Sequence, residues 1–265
     1  MERCSAFICS VKRKRPRRHG SAARVSIIIP VMNERRTLAA VLREAKKVSP
    51  HEIIVVANGS TDGSGSLAES LGARVISIAE PLGHDVGRSV GARHATGDVL
   101  LFLDGDMVIA ARKLKPFIRA VQSGCDVALN RYLGPIGAKR THPVVLAKHA
   151  LNAALKRPDL AGASMTTVPH AISRRALMTI GAEALTVPPK AQVLAILSGL
   201  KVRAVHLVGV GKLNKARNRP KSSEGMDVLG SLIVGDHLEA MRVLIQTAGE
   251  RGGHTDLTRN RDAAR

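Results

Sequence analysis

The chain has 265 residues with 41 Lys and Arg against 21 Asp and Glu, a formal charge of +20. Three scattered cysteines, Cys4, Cys9 and Cys125, exclude a disulfide framework and point to a reducing compartment, while one Tyr, three Phe and no Trp argue against a specific nucleic-acid partner. No apolar run is long enough for a bilayer span and the N-terminus lacks a signal-peptide core, so a cytoplasmic location is expected, with peripheral contact at the anionic inner membrane face left open by the charge.

Residues 1–22 include Lys12-Arg13-Lys14-Arg15-Pro16-Arg17-Arg18 and read as a basic disordered arm. It would rest on anionic lipid or merely solubilise the chain. One domain is expected over 23–250, followed by a polar tail over 251–265. Arg24–Ile29 reads as a strand stopping at Pro30, and Arg35–Lys47 as a helix with Leu38, Val41, Leu42 and Ala45 on one face. Ile53–Ala57 is the second strand, followed by a turn over Asn58–Gly65, a short helix to Leu71 and a third strand over Arg74–Ile78. Val99–Leu103 is the fourth, ending abruptly in Asp104-Gly105-Asp106. Carboxylates are costly to desolvate, so this pair suggests a bound cation, with a simple strand-capping turn as the alternative. Such alternation predicts an α/β fold with a mostly parallel sheet, whose polar loops converge on one edge.

The segments Val25–Glu34, Ile54–Ser64 and Gly97-Asp98 leading into Phe102–Asp106 resemble, in order and spacing, a family 2 glycosyltransferase of the GT-A, or nucleotide-diphospho-sugar transferase, fold. The likeness covers roughly 24–130 and is traceable to about 250. It implies that the first two loops hold the base and ribose of a nucleotide-diphosphate sugar, through Pro30, Asn33, Glu34, Asn58 and Asp62. It also implies Mg2+ or Mn2+ on Asp106 and Asp104, with Asp106 the more direct ligand, and Gly105 allowing close backbone approach.

Each residue also has a plainer reading. Asn33 and Glu34 fit a helix cap and first-turn acid, Asp62 fits an ordinary turn, and Gly105 an ordinary turn glycine. At Asn58 many relatives carry Asp; an amide oxygen can still accept a ring N–H. Gly87-Arg88-Ser89-Val90-Gly91 resembles the Ala-Arg-Asn-x-Gly segment of such relatives, which implies that Arg88 lies in the first turn of a helix facing the donor, where its fork could grip phosphate or organise the Asp loop; a solvated helix charge is its plainer reading. His84 and Asp85 just before it read as turn residues.

In the second half, Ala171–Leu177 and Lys201–Val208 resemble the strand, helix and returning strand of dolichyl-phosphate mannose synthases. Gly211–Ser223 is a basic loop that could close over the diphosphate through Lys212, Lys215, Arg217 or Arg219, or simply remain in solvent. Met226–Thr247 reads as a terminal amphipathic helix carrying Asp236, the candidate general base of an inverting transfer. His206 or His237 could supply a late metal ligand, although each fits a structural role.

Missing parts set other chemistries aside. Gly209–Leu213 is no P-loop, His51-Glu52 has no second histidine at helical spacing, and the first strand is not followed by Gly-x-Gly-x-x-Gly. The expectation is therefore a metal-dependent, inverting hexosyltransferase-type enzyme acting on an unidentified acceptor, a polyprenyl phosphate among the candidates. The competing class is a catalytically silent protein of the same fold, tethered by its arm to anionic membrane or nucleic acid.

Overall fold

The β-branched runs pair into one seven-stranded mixed sheet in the order β3-β2-β1-β4-β6-β5-β7. The computed structural model describes residues 23–135, 141–213, 227–261 and 263. The first half alternates as expected: β1 (Val25–Val31), α1 (Arg35–Lys46), β2 (Glu52–Asn58), α2 (Ser64–Ser70), β3 (Arg74–Ile78), α3 (Val86–His94) and β4 (Val99–Phe102). Then follow α4 (Ala111–Gln122), β5 (Val127–Asn130), α5 (Pro143–Ala154), β6 (His170–Ser173) and α6 (Arg174–Ile180). The chain continues through α7 (Pro188–Leu197), β7 (Val202–His206), α8 (Val210–Leu213) and α9 (Val228–Ala248).

Strand β6 runs antiparallel to β4 and β5, while the other pairs are parallel. The C-terminal ends of β1, β2, β4, β5 and β7 and the start of β6 therefore share one edge. Ligand sites of open α/β sheets form on such an edge.

Side-chain alternation divides the core into two layers. Ile27, Ile29 and Leu101 pack with Leu38, Val41 and Leu42 of α1 and Leu114 and Phe117 of α4. On the other face Ile28, Leu100 and Phe102 pack with Ala92 of α3, Leu177 of α6 and Ala191 of α7. A smaller cluster, including Leu151, Val193, Ala240 and Leu244, fastens α5, α7 and α9 together.

Two local expectations change. The first strand does not stop at Pro30 but continues to Val31. Leu103 N donates to Ile28 O at 3.0 Å, so even-numbered backbone groups of β1 face β4, whose pairing ends at Phe102 opposite Ile28. Pro30 thus lies beyond the last rung on the side where its missing N–H would be needed. The basic loop expected from Gly211 begins instead inside α8, and residues 214–226 lie outside those described. The arm over 1–22 is likewise outside them. At the other end, His254 Nε2 lies 2.9 Å from Ala154 O, so the start of the tail packs on the end of α5.

Cys125 is a buried free thiol, its pKa pushed up by burial. Among the described residues no helix is long and apolar enough to cross a membrane.

Candidate functional site

The Asp104-Gly105-Asp106 turn leaves the sheet directly after β4, with Leu103 buried beneath it and both carboxylates partly exposed. Gly105 has a packing reason to be glycine. A Cβ there would meet Val31 Cγ1 at 2.6 Å and Glu34 Cγ at 3.3 Å. Thr37 Oγ1 of α1 donates to Gly105 O at 2.8 Å, which ties the turn to the loop after β1.

Arg88 is the electrostatic centre of this edge. The glycines beside it let α3 lie against β1, since a Cβ on Gly91 would sit 2.5 Å from Ile28 Cγ2 and one on Gly87 2.8 Å from Pro30 Cβ. Arg88 is thereby buried, with Nη2 donating to Asp104 Oδ1 at 3.1 Å and Nη1 2.8 Å from Asp85 Oδ1. Burial opposes its charge, but the attraction of Asp85 and Asp104 overrides that and raises its pKa. Burial raises the Asp85 pKa, with Arg88 and His84 acting in the opposite sense. Asp85 thus belongs to the site and is more than a turn residue; its spacing from Arg88, one helical turn, was the available signal.

The first two loops are stitched to each other. Asn33, at φ 59°, uses Oδ1 to accept from Thr61 N at 2.9 Å and Asp62 N at 3.3 Å. Asp62 accepts from Arg35 N at 3.0 Å and from Ser64 N at 2.9 Å, so one carboxylate serves the starts of α1 and α2. Its pKa is lowered chiefly by the hydrogen bond from the Ser64 hydroxyl. Glu34 is the buried N-cap position of α1, with its N–H donating to Ser64 Oγ at 2.9 Å. The Asn58 amide oxygen, expected to face a base, accepts from Leu82 N at 2.5 Å, and its Nδ2 donates to Gly83 O at 3.2 Å.

Beside the Asp turn lies a cavity of about 740 Å³, into which Asp104 and Arg88 face, together with Lys148, Thr166 and Thr167. The loops after β4, β5 and β7, the loop before β6 and the starts of α3, α5 and α9 all contribute to its wall. Pro30, Asn33, Glu34, Asn58, Asp62 and Asp106 are not among its lining residues. Beside it the caps of two helices meet. His142 Nδ1 accepts from Val144 N at 3.2 Å and caps α5, while its Nε2 lies 3.1 Å from Oδ2 of Asp227, the cap of α9. A ring whose Nδ1 accepts carries its proton on Nε2 and donates it to Asp227.

Lys148 was missed because it sits in an apolar helical stretch with no local motif. Its Nζ donates to Thr167 Oγ1 at 2.8 Å, and burial, then the charge of Arg88, bring its pKa down to about 8. Asp236, on α9, is raised to about 6 by burial and by the charge of Asp85. His170 is fully buried, stacks on Phe102 at a centroid distance of 4.9 Å, and burial holds it neutral with a pKa of about 3.

Other expected residues stand apart. His206 meets Phe117 edge-on, 6.2 Å between ring centroids, and His237 Nδ1 lies 2.7 Å from Ile233 O. Among the described residues no three His, Cys, Asp or Glu side chains group as a metal site, so His206 does not complete a set with Asp104 and Asp106. Lys212 falls in α8, whereas Lys215, Arg217 and Arg219 lie outside the described residues.

Residues 26–181 match the family described as Glycosyl transferase family 2. A polyprenol monophosphomannose synthase of Mycolicibacterium smegmatis is 31% identical over 145 residues, covering 48% of this chain and 53% of the relative. An undecaprenyl-phosphate 4-deoxy-4-formamido-L-arabinose transferase of Serratia proteamaculans is 30% identical over 115 residues, covering 39% of this chain and 35% of the relative. The chain thus spans about half or less of the length of these curated relatives. Among solved structures, glucosyl-3-phosphoglycerate synthase from Mycobacterium tuberculosis in complex with UDP superposes with a TM-score of 0.63 at 22% identity, covering 89% of this chain and 82% of that one. The same enzyme with Mn2+, UDP-glucose and phosphoglyceric acid gives the same score and coverage. These likenesses establish the GT-A fold.

Proposed function

The chain belongs to glycosyl transferase family 2, and from that premise we propose that it moves a hexosyl group, with inversion, from a nucleotide-diphosphate sugar to a separate acceptor. The observation that carries this reading is the Asp104–Arg88–Asp85 arrangement, set at the end of β4 beside a cavity large enough for a sugar and the reacting end of an acceptor. Asp104 and Asp106 are hard oxygen donors on a tight turn, and among the described residues no third protein ligand groups with them. That set suits Mg2+ or Mn2+ and leaves positions for phosphate oxygens. When bound, the ion would neutralise charge on the departing nucleoside diphosphate.

The chain's own residues supply the remainder. Arg88 would orient Asp104 through its Nη2 hydrogen bond, while its Nη1 faces the buried Asp85 carboxylate at 2.8 Å. Pro30, Asn33, Glu34, Asn58 and Asp62 form the stitched pair of loops on which base and ribose would rest. Lys212, Arg217 and Arg219 are the proposed cover of the diphosphate. Asp236, with a pKa of about 6, is ionised yet still basic at neutral pH and would take the proton of a hydroxyl acceptor. A phosphate acceptor attacks already ionised and needs no such base.

The relatives' names, polyprenol monophosphomannose synthase and undecaprenyl-phosphate transferase, favour a polyprenyl phosphate acceptor. Leu133, Val145, Leu229 and Ile233 in the cavity wall agree with an acceptor that is partly hydrocarbon. The neighbours solved with UDP and with UDP-glucose make a UDP-sugar the donor to try first. The reaching of such an acceptor from a membrane surface is in keeping with a charge of +20.

The test is release of nucleoside diphosphate from a panel of nucleotide-sugars with a short polyprenyl phosphate, with and without Mn2+, with product anomeric configuration read by NMR coupling. Mn2+-dependent release with an inverted product supports the reading. No release from any donor, or a retained configuration, overturns it.

A further inference from the structure

The cavity holds a cation for which the donor chemistry has no use. Lys148 stands on α5, and its Nζ is anchored by Thr167 Oγ1 at 2.8 Å on the loop leading into β6. Both residues line the same cavity as Arg88 and Asp104. The two cations differ in their company. Arg88 is committed to Asp85 and Asp104, whereas Lys148 has no carboxylate at ion-pair distance among the described residues.

The surroundings of Lys148 suit an anion that arrives with carbon attached. Val145, Val168 and Ile233 share the wall with it. Lys148 is half-buried with a hydroxyl as its hydrogen-bond partner, so a bound oxyanion would give this cation the counter-ion that favours its charge. Burial, then the charge of Arg88, lowers its pKa to about 8.

We infer that Lys148, steadied by Thr167, is the residue that receives the phosphate monoester of the acceptor, with the apolar wall taking the adjoining carbon chain. This rests on the reading of the cavity as the acceptor side of a sugar transferase. In that role Lys148 fixes the orientation of the attacking group relative to Asp104, and it selects acceptors that carry an anion. Two sources share this chemistry, a polyprenyl phosphate and a small phosphorylated metabolite.

Calorimetric titration of the full chain at pH 7 with farnesyl monophosphate and separately with glycerol phosphate, without nucleotide or metal, tests the assignment. Wild-type protein is expected to bind at least one of them, Lys148→Met to bind it at least about tenfold more weakly, and Lys148→Arg to stay within about threefold of wild type. Tighter binding of farnesyl monophosphate identifies the lipid source, and tighter binding of glycerol phosphate the small metabolite. Titration of UDP with Mn2+ is the control and should be unchanged in both variants. Equal affinity in Lys148→Met, or no binding of either phosphate to wild type, overturns the inference. Should Lys148→Met not fold, Thr167→Val reads the same place: a loss of about threefold or more supports the assignment, and unchanged affinity refutes it. If UDP and Mn2+ fail to bind while phosphate binding still depends on Lys148, the transferase reading falls and the phosphate site stands.

Discussion

Arg88 and Asp104 join the helix after β3 to the turn after β4 through a single hydrogen bond of 3.1 Å, and Asp85 holds the other arm of the same guanidinium. Replacing Arg88 with Met takes from the buried Asp85 carboxylate the guanidinium that lies 2.8 Å from it. The expected cost is about 3–5 kcal/mol of folding stability, read from the urea midpoint at unchanged m-value. Asp85→Asn should cost less than that, since Arg88 keeps Asp104. A midpoint for Arg88→Met equal to wild type would show that the buried network contributes nothing.

Gly105→Ala should lower stability by about 1–3 kcal/mol, because the new methyl must displace Val31 and Glu34 from contacts that are already tight. The same displacement shifts the Asp turn, so Mn2+-dependent stabilisation by a nucleoside diphosphate should weaken as well. Differential scanning fluorimetry reads both quantities.

Asp106→Asn keeps the shape of the side chain and removes one carboxylate charge from the turn. Turnover is expected to fall by about 100-fold or more, with Tm changed by no more than about 2 °C. Retained turnover would move the metal contact to Asp104 alone.

Much of this arrangement was legible before folding. Strands β1 to β4 announce themselves because β-branched runs alternate with helical periodicity, and each ends at polar residues that can only lie at a strand mouth. Arg88 was readable from the likeness of Gly87–Gly91 to the Ala-Arg-Asn-x-Gly segment of relatives. What could not be read lies in long-range partnerships. Asn33 and Asp62 meet across 29 positions, and Lys148 meets Thr167 across 19, with no local pattern marking either pair. Pro30 misled because its effect depends on which neighbour still pairs at that level. His206 looked available as a ligand, yet the register of β7 sets its ring against Phe117.

Acid sensitivity should follow from His170. Its folded pKa of about 3 lies below its ordinary value of 6.5, so folding excludes the proton that the unfolded chain accepts. Stability is therefore full above about pH 6.5 and falls progressively as pH drops toward 3. His237, lowered to about 4 by burial, adds to the same trend. His170→Phe should flatten the curve of urea midpoint against pH in this window. An unchanged slope would mean that His170 does not titrate with folding.

Asp236 has the opposite sign. Its folded pKa of about 6 exceeds the ordinary value of 3.8, so its contribution favours folding at low pH and is lost as pH rises between these values. Asp236→Asn should therefore gain about 1 kcal/mol at pH 7 once solvent screening is discounted. With a hydroxyl acceptor the acid limb of the rate profile, with an apparent pKa of about 6, should vanish together with most turnover. Persistence of that limb would place the base elsewhere.

The reversed direction of β6 brings the Asp104 turn and the loop that carries Thr167 to the same end of the sheet. Phe102, just before the Asp turn, pairs with His170, just after the loop that carries Thr167, so both loops leave the sheet from one rung of the ladder. On the proposed reading, acceptors of different bulk would be accommodated by the side chains of α5 and α9, while the rung keeps the Asp104 turn and the Thr167 loop in register.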